Sequence, residues 1–170
     1  MPRDYEIIIV DGEREFGNGY CLPAGPLREP ISRLNQADIV ISNGENDAYE
    51  YHYTSLSNTL VSLEDHSITK ALEQFADVKV HAIAGIGNPK RFFATLENAG
   101  IVIVPHVFPD HYAYTQSEIT FNDDLPIIMT EKDAVKCRKF NYDDAWFLPF
   151  IVEPNDRLKA RITRLIEGLS

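Results

Sequence analysis

Short β-branched runs that end in polar, glycine-bearing turns recur along this chain. "YEIIIVDG", Tyr5 to Gly12, is one, with its apolar run ending in Asp11-Gly12. An apolar run of that length bounded by a turn reads as a buried strand opening into a loop. "ADIVISNG", Ala37 to Gly44, repeats the pattern. Between the two, Pro30 fits the first position of a short helix with Ile31 and Leu34 on one face. From Asp47 to Glu64 the texture changes. Aromatic and β-branched residues alternate there without long apolar runs, which predicts a hairpin or an extended linker. Ser67 then fits a helix cap ahead of Ile68, Ala71, Leu72 and Phe75 at helical spacing.

A regular series follows: strand "VKVHAIAGIG", helix "NPKRFFATLENAG", strand "IVIVPHVF", strand "LPIIMT", helix "EKDAVKCRKF", strand "AWFLPFIV", helix "NDRLKARITRLIEGLS". Strands alternating with helices predict an α/β fold, a mostly parallel sheet with helices on its faces. The last helix carries Leu158, Ile162, Leu165, Ile166 and Leu169 on one stripe and is expected to pack on that sheet. The opening strand reads as an interior one, and buried strands of parallel sheets need partners on both sides. The first 48 residues supply only two strands, so the N-terminal part is expected to be an incomplete layer.

Composition narrows the class. With 170 residues, 44% of them hydrophobic, the chain can bury a core and lies near one ordinary domain or one and a half. A net charge of -10 and a pI near 4.9 argue against a generic nucleic-acid partner, whose phosphates call for surplus Lys and Arg. Cys21 and Cys137 lie far apart and lack a CxxC partner, which predicts a reducing compartment with neither a disulfide framework nor structural zinc. The longest apolar runs are too short to span a bilayer and no signal-peptide pattern opens the chain, so a cytoplasmic location is expected.

Ligands of open α/β sheets sit at the carboxyl ends of strands, and four segments fall there. Asp11 precedes a loop with Gly17, Asn18 and Gly19, and Arg28 with Glu29 stands just before a helix start; a phosphate contact competes with a structured turn carrying a surface ion pair. In "AGIGNPKRF", Asn88 and Pro89 make a well-formed helix start, so capping competes with an anion site at the amides. In "VPHVFPDHYAYT", Asp110-His111 could move a proton, because histidine titrates near neutrality and a carboxylate can orient it; a polar turn is the competing reading. His106 and His111 lack a third ligand at metal spacing, so no metal is expected. In "MTEKDAVK", Thr130 and Asp133 resemble a capping box, although Asp is shorter than the usual Glu or Gln, and Lys132 and Lys136 are possible anion contacts. No GxxxxGK[ST], GxSxG or HExxH is present.

Taken together, "VDGEREFGNGYCLPAGPLREP", "AGIGNPKRFF", "FPDHYAYT" and "MTEKDAVKC" resemble tetraacyldisaccharide 4'-kinase, the lipid A 4'-kinase family of Gram-negative bacteria. The four segments stand in the family's order and span about Asp4 to Pro149. The resemblance implies the C-terminal half of such a kinase, without the P-loop and magnesium-binding aspartates that lie upstream in the family. It implies two α/β/α domains joined by a two-stranded linker: residues 1–47 as the remnant of the ATP-binding core, 48–66 as the β linker and 67–170 as the second domain. The implied reaction transfers the γ-phosphate of ATP to the 4'-hydroxyl of tetraacyldisaccharide 1-phosphate. His111 matches the histidine of the family's aspartate-histidine dyad, and Asp110 is carried with it as a catalytic candidate. Arg28 and Glu29 match cleft residues and, with Asn18, are the substrate-binding candidates.

The full-length family enzyme implies Mg-ATP as cofactor, the lipid A precursor as partner and a peripheral position on the cytoplasmic face of the inner membrane. No cofactor is expected to bind this chain alone tightly, and the chain alone is expected to be inactive. A homodimer through an exposed sheet edge is a further expectation. The alternatives are a non-enzymatic lipid- or phosphosugar-binding or regulatory module, and an independent phosphate-binding enzyme built on the GIGNP loop.

Overall fold

The computed structural model describes residues 5–55 and 57–168. In chain order the strands are β1 (Ile7–Asp11), β2 (Ile39–Asn43), β3 (Tyr51–Ser55), β4 (Thr59–Ser62), β5 (Thr69–Ala71), β6 (Lys79–Ala84), β7 (Val102–Val107), β8 (Ile127–Thr130), β9 (Ala145–Leu148) and β10 (Val152–Pro154). The α-helices are α1 (Pro89–Asn98), α2 (Glu131–Cys137) and α3 (Asp156–Gly168). They form two compact units, one of Met1–Leu56 with Val152–Ser170, the other of Ser57–Ile151.

The first unit is a four-stranded sheet in the order β1-β2-β3-β10. β1, β2 and β3 run parallel, and β10 closes the sheet antiparallel to β3. Ile39 and Ile41 of β2 are buried against Leu158 of α3, with Tyr51, Tyr53, Ile162 and Leu165 around them. Asn155 starts that helix: its Oδ1 accepts from the Leu158 amide at 2.9 Å, and its Nδ2 donates to the Glu50 carbonyl at 3.0 Å. The helix therefore packs on this sheet and not, as its position suggested, on the one before it in sequence. Ile166 is exposed, and Leu169 lies outside the described residues. β1 is also corrected. Among the described residues it pairs only with β2, and Ile7 and Ile9 are exposed on its flank.

The return of residues 152–168 to the first unit differs from the division expected after residue 67. "AWFLPFIV" reads as one strand but holds two, in different sheets. Pro149 follows directly on β9, and a residue without an amide proton cannot continue a ladder. The paired strands at the boundary are β3 and β10, whereas β3 and β4, the two strands of the 48–66 segment, lie in different sheets. That segment is extended and not a hairpin.

The second unit is a six-stranded sheet in the order β5-β4-β9-β8-β6-β7. β6 is parallel to β7 and β8, and β8 to β9; β4 is antiparallel to β5 and β9. Alternation along β6 separates the two faces. Val80, Ala82 and Ala84 pack with Phe92 and Leu96 of α1, while Ile83 packs with Met129, Ala134 and Cys137 on the face covered by α2 and the β7–β8 loop. Both faces being covered gives the near-continuous burial expected of parallel strands. The helix expected from Ser67 is replaced by β5 and one 3-10 turn, Leu72–Phe75. The Ser67 amide and hydroxyl both donate to Asp65 Oδ1, at 2.9 and 2.7 Å, so Ser67 completes a hairpin turn and Thr69 enters the sheet.

Leu158 is 2% exposed at the centre of the first unit's core. Leu158→Ala should destabilise that unit by about 2–5 kcal/mol in urea unfolding. A loss no larger than that of the exposed-site control Ile166→Ala would contradict this placement.

Candidate functional site

Three of the four segments singled out from sequence meet at the carboxyl ends of β6, β7 and β8. They meet around Asp133, in the first turn of α2. The side chain is fully buried, and a buried carboxylate is tolerated only when donors replace its lost water. Oδ2 accepts from the Gly85 amide at 2.8 Å and the Thr130 hydroxyl at 2.7 Å. Oδ1 accepts from the Tyr114 hydroxyl at 2.9 Å and the Lys136 ammonium at 3.1 Å. One side chain thereby ties the end of β6, the loop after β7 and the start of α2. Burial, reinforced by the charge on Asp133, raises the Tyr114 pKa, so its hydroxyl stays protonated and donates.

This hub explains the glycine of the GIGNP segment. A Cβ on Gly85 would stand 2.4 Å from the Tyr114 hydroxyl and 2.9 Å from Asp133 Oδ1, which leaves no room for any other residue. Its amide is spent on Asp133. Pro89 occupies the first turn of α1 as expected, but Asn88 makes no side-chain cap, contrary to the sequence reading. Thr130 does cap α2, accepting from the Asp133 amide at 3.3 Å. Sequence patterns recognised the cap and missed the hub. The available signal was the shortness of Asp in a position where Glu or Gln completes a capping box.

Asp110 and His111 form an exposed turn beside this hub. Asp110 Oδ1 accepts from the Lys132 ammonium at 2.6 Å and from the His111 amide at 3.0 Å. The His111 Nε2 lies 3.7 Å from Asp110 Oδ2, beyond hydrogen-bond range. Asp110 is thus engaged first by Lys132, which holds its carboxyl below the usual carboxylate range, with the adjacent His111 adding to the effect. His111 has a φ of 61°, a left-handed conformation uncommon outside glycine, and its side chain is 79% exposed. The next residues are firmly held. The Glu118 carboxylate accepts from the Tyr112 hydroxyl and, at 2.9 Å, from the Thr115 amide.

The fourth segment belongs to the first unit. Asp11 Oδ1 accepts from the amides of Glu13 and Arg14, each at 3.0 Å, and turns the chain out of β1. Asn18 stitches the glycine-rich loop together: its Nδ2 donates to the Ala24 carbonyl at 2.9 Å, and its Oδ1 accepts from the Tyr20 amide at 3.2 Å. Glu29 pairs with Arg33 at 3.1 Å and not with its neighbour Arg28. Arg28 is exposed and makes no ion pair with a described residue. Among the described residues no group of three or more His, Cys, Asp or Glu could hold a metal ion. The sequence likewise has no glycine-rich lysine loop of the GxxxxGK[ST] kind that cradles nucleotide phosphates.

The sequence pattern of the tetraacyldisaccharide-1-P 4'-kinase family matches residues 1–167. The chain belongs to that family. Tetraacyldisaccharide 4'-kinase of Hahella chejuensis is 47% identical over 170 residues, covering 97% of this chain and 50% of the relative. The enzyme of the same name from Nitrosococcus oceani is 44% identical, with 98% and 49% covered. A crystal structure of LpxK from Aquifex aeolicus in complex with ATP superposes with a TM-score of 0.70 at 23% identity, covering 98% of this chain and 53% of that one. That likeness establishes the shared fold. The chain spans about half the length of the curated kinases it matches.

Two outcomes test the site's geometry. Tyr114→Phe removes one of Asp133's donors and should cost the second unit about 1–3 kcal/mol in chemical unfolding. An unchanged midpoint would show that the hub does not carry the loop. Lys132→Ala should move the Asp110 titration, followed by carboxyl NMR, up toward the ordinary carboxylate range. Because the folded pKa is lowered, the Asp110–Lys132 contribution to stability is present above the unfolded carboxylate value and is lost as pH falls through the folded one. An Asp110 titration indifferent to Lys132→Ala would refute the pairing.

Proposed function

We propose that this chain is the acceptor-side part of a kinase that transfers the γ-phosphate of ATP to the 4'-hydroxyl of tetraacyldisaccharide 1-phosphate. Family membership supports the reaction class, and the His111 turn is the observation that carries the site. An imidazole projects into solvent from the carboxyl end of a parallel sheet, where open α/β sheets bind ligands, on a loop braced by a buried carboxylate. In this reading the imidazole of His111 accepts the proton of the attacking hydroxyl. As the hydroxyl oxygen bonds to the γ-phosphorus, the bond from that phosphorus to the ADP oxygen breaks. Asp110, held by Lys132, fixes the turn and does not relay the proton. Arg28, which makes no ion pair with a described residue, is the contact for a substrate phosphate; Glu29 acts through Arg33, and Asn18 keeps the loop in shape.

The residues that cradle the triphosphate are assigned to the part of the kinases that this chain does not span. Among the described residues no helix is long and apolar enough to cross a membrane, and the reading places the whole enzyme peripherally, at the cytoplasmic membrane surface that holds its lipid substrate. Pairing of two copies through β1 draws its support from the exposed Ile7 and Ile9, and sedimentation of the wild type against Ile9→Lys tests it.

The polypeptide alone, given ATP, magnesium and tetraacyldisaccharide 1-phosphate, should show no transfer. Joined behind the N-terminal half of the Hahella relative it should transfer phosphate, and His111→Gln in that chimera should lower kcat by roughly 10²–10⁴-fold, the share a positioned general base supplies. Full activity of His111→Gln would sink the assignment of His111. Binding of the disaccharide phosphate by a chimera that never turns over would favour the binding-module alternative.

A further inference from the structure

The second unit buries a polar network that the proposed chemistry does not use. His81, in the middle of β6, is 6% exposed. His106 on β7 stands opposite Ile83 in the ladder, and the two histidines are diagonal neighbours on one face. His81 Nδ1 lies 2.9 Å from His106 Nε2, and His81 Nε2 lies 3.0 Å from Asp123 Oδ1. Phe121 stacks on the His81 ring at 3.6 Å between centroids, with the planes 19° apart. Asp123 and Phe121 belong to the β7–β8 loop, which also carries Asp110 and His111.

The donors and acceptors fix one another. Asp123, whose pKa is lowered by its hydrogen bond to His81, is a carboxylate and can only accept. His81 Nε2 must then carry a proton, and in the neutral pair His81 Nδ1 accepts from His106 Nε2–H. One added proton leaves a single hydrogen between the two rings and every bond intact. A second sets one N–H against another and separates the rings. The charged groups acting on this network are Asp123 from the loop and Lys79 from β6; β7 contributes His106, and β8 presents apolar Ile127 beside His81.

We propose that His81, His106 and Asp123 form a proton-linked clamp that positions the loop bearing Asp110 and His111. The path from clamp to site is short and rigid. Asp123 and Phe121 hold one end of it, Ile119 is fully buried, and Glu118 binds Tyr112, the neighbour of His111. Burial, and then the charge of His81, lower the His106 pKa. A base whose folded pKa is lowered costs no stability at neutral pH and above; the cost appears as pH falls below the usual histidine range and grows until the folded pKa is passed. The functional meaning of the clamp rests on the reading of His111 given above, whereas the clamp itself can be read without any activity.

Imidazole and backbone-amide NMR of the 170-residue chain, from about pH 8 to about pH 5, tests it. The two rings should titrate as one coupled pair. The amides of residues 110–123 should shift with the acid step while those of β8 and β9 do not. In His106→Gln the side-chain amide can still donate to His81 Nδ1 but takes up no proton, so the loop should match the wild type at about pH 8 and lose its acid response. Independent titration of the two rings, loop amides that ignore the acid step, or an acid response that survives His106→Gln would each overturn the proposal. If His106→Gln does not fold, the wild-type titration decides alone. A His111→Gln chimera with full transfer activity alongside an intact coupled titration would remove the kinase role of the loop and leave the clamp standing.

Discussion

A carboxylate with no access to water sets the terms for the carboxyl end of the second unit. Asp133 is fully buried, and removing a charge from water costs several kcal/mol unless donors stand in for it. Four do, and each constrains a different part of the chain: Gly85, Tyr114, Thr130 and Lys136. The requirement propagates outward. Gly85 must lack a Cβ so that Tyr114 can approach, and Tyr114 must remain a phenol so that it can donate. The ends of β6 and β8, the loop after β7 and a helix N-terminus are thereby locked by a single charge. The loop after β7 is anchored to it four residues after Asp110, at Tyr114.

That anchoring accounts for the unusual state of His111. A left-handed backbone at a residue with a Cβ is an unfavourable choice for a structural turn. It persists because the surroundings over-determine it, with Lys132 holding Asp110 on one side and Glu118 holding Tyr112 on the other. Strain stored where the neighbours are over-restrained is characteristic of sites that present a side chain to a ligand. The same observation lowers the claim of Asp110 to a chemical role. Its Oδ1 is occupied by the Lys132 ammonium and the His111 amide, and the His111 imidazole lies too far from Oδ2 to be bonded.

How far the sequence could be read follows from the range of the interactions involved. β6, α1, β7, β8 and α2 were legible because each is specified within its own run of residues, by apolar continuity, by Pro89 at a helix start or by Thr130 at a cap. Ser67 misled because its partner, Asp65, made it the end of a turn, and the helical spacing of Leu72 and Phe75 is equally satisfied by one 3-10 turn. The destination of α3 was not legible. Its stripe specifies that Leu158 and Ile162 be buried but not which sheet buries them, and that choice is made by the pairing of β10 with β3 about 100 residues earlier. In the site, the His111 segment was recognisable by its residue types. Asp133 was not, since its partners Gly85 and Tyr114 lie 48 and 19 residues away.

The loop is held at two points by groups of different kinds. At Asp133 the buried charge is compensated by three neutral donors and one ammonium group. At His81 the anchor is a chain of hydrogen bonds whose proton count can change. A loop fixed at one end and conditionally fixed at the other keeps its root in register with the sheet while the tension on its far side varies. Glu118 lies between the two anchors and passes that difference, through its hydrogen bond with Tyr112, to the residue beside Tyr112, which is His111. The fixed anchor sets where the imidazole is, and the proton-linked one sets how tightly it is held there.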